Sequence, residues 1–139
     1  MPRNGYRLIE LLIVVVSIAG ILAACEGTGP SEDTILSSMK SDLLRLASAQ
    51  EAFFSDNDDY AGRITSGAQV NGVGGSGSVS FVPGEGNVLI MTYVDAAGWK
   101  ASIANPALAR DPKNCGIFTG PKANAINPAM TEAGVPACW

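Results

Sequence analysis

The polar and apolar positions of the chain fall into three regimes. Residues 11–25 are wholly apolar or small, preceded by a short stretch, 1–7, with two arginines (Arg3, Arg7) and no acid. A helix over 6–24 would be about 28 Å long at roughly 1.5 Å per residue, close to the thickness of a bilayer core. Basic residues ahead of the run predict that the remainder lies outside the cytoplasm. Gly27, Gly29 and Pro30 then predict a break. Ser31 is placed to cap a new helix, and Glu32 and Asp33 put negative charge in its first turn, where the helix dipole favours it. Ile35, Met39, Leu43, Leu46, Ala47, Gln50 and Phe54 recur at spacings of three and four, with Lys40, Asp42, Arg45 and Glu51 between them. This predicts an amphipathic helix ending near Asn57, its apolar stripe turned to the core.

Beyond Asn57 the period changes. Residues 67–77, with repeated Gly among small and polar residues, read as a flexible surface loop, and no strand-turn-helix context supports phosphate binding there. Residues 78–82 alternate as a strand, 83–86 turn, and 88–94 run back with β-branched and aromatic residues. Residues 96–98 turn again into 99–104, with Trp99 expected in the core, and 115–119 is a candidate fourth strand. The economical arrangement is α+β: an antiparallel meander packed on the amphipathic helix.

Composition narrows the chemistry. The chain has 139 residues, room for one compact domain, with 47% hydrophobic residues and a net charge of −4. Its basic residues are scattered, which sets the electrostatics against nucleic-acid binding by the subunit alone. Histidine is absent. That removes the commonest general base, the Ser-His and Cys-His nucleophile pairs and most catalytic zinc sites, and the chain is read as non-enzymatic with no cofactor. Asp56, Asp58 and Asp59 cluster at the helix end but lack the EF-hand spacing, and read as a solvated corner. Cys115 and Cys138 lie in the exported-looking part and are read as a disulfide, with free thiols in a reducing compartment the alternative.

Glu10 needs a reason to stand at the start of a membrane helix, where a carboxylate is costly. The string G-YRLIELLIVVVSIAGILAA resembles the N-terminus of type IV prepilins, and MKSDLLRLASAQEAFFSDNDDYAG resembles the second half of the pilin helix in a bacterial subgroup. The resemblance covers about the first sixty residues. Arg7 stands where the family more often has Thr or Ser, and CEGTGPSED replaces its Ala-Ile-Pro continuation. The resemblance implies cleavage after Gly5 by prepilin peptidase, with Tyr6 as the new, methylated N-terminus. It implies that Glu10 pairs with the Tyr6 amine of a neighbouring subunit during filament assembly. The implied organisation is a leader (1–5), a transmembrane and filament-core helix (6–25), a linker (26–31) and a head (32–139). The head divides into helix 32–57, loop 58–77, and a sheet with a disulfide-bound C-terminal loop over 78–139. Implied partners are copies of the chain itself and the inner-membrane assembly machinery, with the subunit in the inner membrane first and in an extracellular filament afterwards. A type II secretion pseudopilin fits the same residues. Leu22-Ala23-Ala24-Cys25 also fits a lipobox, in which Cys25 would be the lipidated N-terminus of an anchored lipoprotein.

Overall fold

The structure, a computed structural model, describes residues 29–65, 68–70 and 74–139. The expected 6–25 helix, and with it Gly5, Tyr6, Glu10 and Cys25, lies outside the described residues. Among the described residues no helix is long and apolar enough to cross a membrane.

Helix α1 (Glu32–Asn57) starts where the sequence places it. Ser31 is its N-cap, with the Ser31 hydroxyl accepting from the Thr34 backbone N–H at 3.2 Å. It stops at Asp58, whose left-handed backbone (φ 52°) turns its N–H back to the Phe54 carbonyl. Among the described residues seven strands follow: β1 (Arg63–Ile64), β2 (Ala68–Val70), β3 (Ser78–Val79), β4 (Val88–Asp95), β5 (Gly98–Ala104), β6 (Asn114–Phe118) and β7 (Ala137–Cys138). The main sheet has the order β2-β4-β5-β6-β7. Its β4-β5-β6-β7 part is antiparallel, giving the α+β architecture of one helix on a small, largely antiparallel sheet.

Two expectations are corrected here. The 67–77 loop contains β2, which pairs parallel to β4 with Ala68 opposite Leu89. Its composition conceals it because ladder pairing uses backbone groups, and the free edge of β4 supplies unpaired ones. The 78–82 strand shrinks to β3, which pairs parallel with β1 in a separate two-stranded sheet and does not form a hairpin with β4. Residues 83–86 therefore join two sheets and lie against the helix.

The core fills the space between α1 and one sheet face. Met39, Leu43 and Leu46 meet Leu89, Met91, Trp99, Ala101, Ile103 and Ile117, all fully buried. Each of the Leu, Ile and Met side chains among them contributes about 1.5–3 kcal/mol by leaving water. The alternation of β5, Trp99, Ala101 and Ile103 inward with Lys100, Ser102 and Ala104 outward, is the period-2 pattern of a half-buried strand. On the outer face, Phe118 and Met130 are buried beneath the segment that returns to β7. The Lys122 ammonium lies 5.6 Å from the Phe118 ring centroid and donates to the Met130 carbonyl.

Candidate functional site: the base of the head

The end of the molecule where α1 begins is organised by a residue that sequence patterning misplaces. Asp42 reads as one of the polar positions between the apolar ones, yet only 2% of it is exposed. Its spacing explains this: Asp42 is three residues after Met39 and four before Leu46, on the buried stripe itself. One carboxylate oxygen accepts from the Gly84 N–H at 2.7 Å and from Asn87 Nδ2 at 2.8 Å. The other accepts from Arg45 Nη1 at 2.8 Å. Arg45 Nη2 also donates to the Val82 carbonyl at 3.2 Å, and its guanidinium lies 5.1 Å from the Phe81 ring centroid.

The network extends from the helix to the sheet. Asn87 Nδ2 also donates to the Ser38 hydroxyl at 3.2 Å, and Asn87 Oδ1 accepts from Asn105 Nδ2 at 2.9 Å. Asn105 Oδ1 in turn accepts from the Ala107 N–H at 3.0 Å, making an Asx turn after β5. The connection between the two sheets, the start of β4 and the end of β5 are thus fastened to one helix turn. Gly86 allows the fit: its φ is +74°, and a Cβ there would lie 3.1 Å from Asn105 Nδ2.

Beside this network lies a half-open cleft of about 380 Å³. Pro30, Thr34, Ile35 and Ser38 form its helix side, and Glu85, Gly86, Asn105 and Ala107 face them.

At the opposite end, Gln50 closes the helix against the chain that follows it. Its Oε1 accepts from the Ala61 N–H at 2.9 Å and its Nε2 donates to the Ala61 carbonyl at 3.0 Å. Tyr60 stacks on Phe54 with centroids 4.7 Å apart and approaches Trp99 at 6.5 Å. The Tyr60 hydroxyl donates to Glu51 at 3.2 Å. Burial, reinforced by the negative charge of Glu51, raises the Tyr60 pKa above its ordinary 10.0. Asp59 accepts from the Tyr60 N–H at 2.9 Å, and among the described residues no group of three or more His, Cys, Asp or Glu is arranged to hold a metal ion.

Of the site residues expected from sequence, Cys115 and Cys138 are joined as a disulfide, directly opposite each other across β6 and β7. The residues missed were Asp42, Asn87 and Asn105. The signals for them were a carboxylate at stripe spacing and the turn sequences Gly-Glu-Gly-Asn and Asn-Pro. No protein-family model matches the chain, and neither a curated protein nor a solved structure does.

Proposed function

We propose that this chain is the structural subunit of a type IV pilus-like extracellular filament, held in the inner membrane until it polymerises through its N-terminal segment. The observation that carries the reading is the Gly5-Tyr6 junction followed by Glu10, at the head of an apolar run that leads into a capped helix. Prepilin peptidase cuts after Gly5, and residues 6–25 form a hydrophobic helix that continues, across the 26–31 linker, into α1. That helix serves twice, first as a membrane anchor and then as the filament core, where its apolar surface is covered by neighbouring copies.

Glu10 sets the register. A carboxylate in an apolar helix bundle is strongly unfavourable unless paired, so only the stacking that brings it to the Tyr6 amine of a neighbour is stable. The head supplies a stapled, solvent-facing domain, and its disulfide suits an oxidising environment outside the cytoplasm.

The test is assembly by Glu10→Ala and Glu10→Gln variants in the native cell. Both should be cleaved and inserted in the membrane with folded heads, while sheared filament yield falls at least ten-fold. Filament yield equal to that of the unaltered chain would refute the role of Glu10. A short periplasmic assembly without surface filaments would point to a secretion pseudopilus.

A further inference from the structure

We propose that residues 125–139 form a redox-gated strap: reduction of the Cys115–Cys138 bond releases them and bares the outer edge of β6, while α1 and the rest of the sheet stay folded. The proposal concerns the head alone and stands independently of the filament reading above.

The strap is packed as a unit of its own. Phe118 and Met130 are 1% and 0% exposed, yet neither belongs to the core between α1 and the sheet. They make a small second cluster beneath the strap, in which Met130 is the one buried residue of 125–139. A segment with so few buried apolar contacts opens at a lower free energy than the core it covers. Its point of departure is firmly held. The Thr119 N–H donates to the Trp99 carbonyl at 2.8 Å, and the Thr119 hydroxyl accepts from the Trp99 N–H at 3.1 Å. Asn124 Nδ2 in turn donates to the Thr119 carbonyl at 2.9 Å. Opening therefore begins beyond Asn124.

The far end depends on the disulfide. β7 has two residues and meets β6 at two positions, against five between β6 and β5. Trp139 adds one rung: its N–H donates to the Asn114 carbonyl at 2.9 Å, and its carbonyl accepts from the Asn114 and Lys113 N–H groups at 3.2 and 3.1 Å. Its indole rests on Gly116, where a Cβ would lie 2.8 Å from the ring. Midway along, the Gly134 N–H donates to the Phe118 carbonyl at 2.8 Å. Backbone bonds at a sheet edge are readily exchanged for bonds to water, so each adds little to closure. β6 itself does not need the strap, because β5 pairs with it from Asn114 to Phe118.

The two sulfurs differ in access. Cys115 is fully buried within the core, whereas Cys138 packs against it from the strap and is half-buried. Attack by an external dithiol therefore falls on Cys138. One thiolate of the dithiol bonds to Cys138 Sγ as the Cys115–Cys138 bond breaks, and the Cys115 thiolate leaves with the electron pair and takes a proton from solvent. The second thiolate then closes the dithiol's own disulfide and expels the Cys138 thiolate, which is protonated in turn. The dithiol is oxidised by two electrons, and the protein gains two thiols. With the tie gone, Asn114 loses both of its backbone bonds to Trp139 and β6 becomes an open strand edge. The oxidised head presents a closed edge and the reduced head an open one, an order-to-disorder switch confined to one segment.

The experiment is hydrogen exchange read by mass spectrometry on the full chain, purified in detergent with the bond intact and any free thiol capped by iodoacetamide. Dithiothreitol is the reductant. Reduction should speed exchange across 125–139 and at Asn114 at least ten-fold. Segments 35–54 and 88–104 should still exchange at least a hundred-fold more slowly than 125–139, and reoxidation with oxidised glutathione should restore the strap's protection. Full reduction with 125–139 still protected overturns the strap. Loss of protection in 35–54 together with 125–139 also overturns it, since the head would then open as one unit. A bond that dithiothreitol leaves intact in the folded chain, or protection that fails to return on reoxidation, overturns the gating.

Discussion

Replacing Asp42 tests whether a buried carboxylate fastens the base of the head. In Asp42→Ala the Gly84 N–H and one hydrogen of Asn87 Nδ2 lose their acceptor, at a position where only 2% of Asp42 is exposed. At about 1–3 kcal/mol for each orphaned donor, the loss should be about 4 kcal/mol, a drop in Tm on the order of 15–20 °C for a domain of this size. Asp42→Asn behaves differently. Its amide oxygen can keep both acceptor bonds, leaving the amide NH2 toward Arg45, whose side chain is 57% exposed and can turn to water. That substitution should cost only about 1 kcal/mol, because the exposed Arg45 guanidinium regains water when its partner loses its charge. The assay is urea unfolding of a fragment beginning at Gly29, which holds the whole described core, followed by circular dichroism and Trp fluorescence. A cost below 1 kcal/mol for Asp42→Ala, or equal costs for the Ala and Asn variants, would refute the account of Asp42 as an acceptor for two buried donors.

Three further outcomes follow from the same structure. Cys115→Ser/Cys138→Ser opens a loop whose ends are 23 residues apart; the chain-entropy relation gives a loss of about 3.4 kcal/mol, measurable by the same unfolding assay, and a change below 1 kcal/mol would show that the staple is dispensable. The raised Tyr60 pKa means that above pH 10 the folded chain keeps a phenol proton that the unfolded chain has released, so stability falls as pH rises from about 10 through the folded pKa. Tyr60→Phe should remove that part of the decline, seen as a shallower fall of Tm between pH 9.5 and 11.5, and parallel curves for the two proteins would contradict it. Leu46→Ala, at a fully buried position facing the sheet, should cost about 2–5 kcal/mol, while the same change at Leu44, 49% exposed, should stay within about 1 kcal/mol.

Much of the head is legible from local rules. Ser31, Glu32 and Asp33 mark a helix start through capping and dipole chemistry, and the stripe from Ile35 to Phe54 fixes the buried face. Strands β4 and β5 announce themselves by β-branched and aromatic residues on either side of a short turn. What was not legible depends on long-range pairing. β2 is drawn into the sheet by the free edge of β4, with no side-chain signal of its own, and β3 leaves the expected hairpin because β1 competes for it. Asp42 shows a different failing: polarity suggests a solvated position, whereas helical spacing puts it inside, and partners 42 and 45 residues away make that burial tolerable. The cleft arises where three distant segments meet, and nothing in any one of them announces it.

The most direct test of the filament account is intact and N-terminal peptide mass spectrometry of the protein taken from its native cell envelope. The account predicts a chain beginning at Tyr6 and carrying a methyl group on its amine. A chain beginning at an acylated Cys25 would contradict it, remove Glu10 from the mature protein, and leave a lipid-anchored head domain in place of a filament subunit.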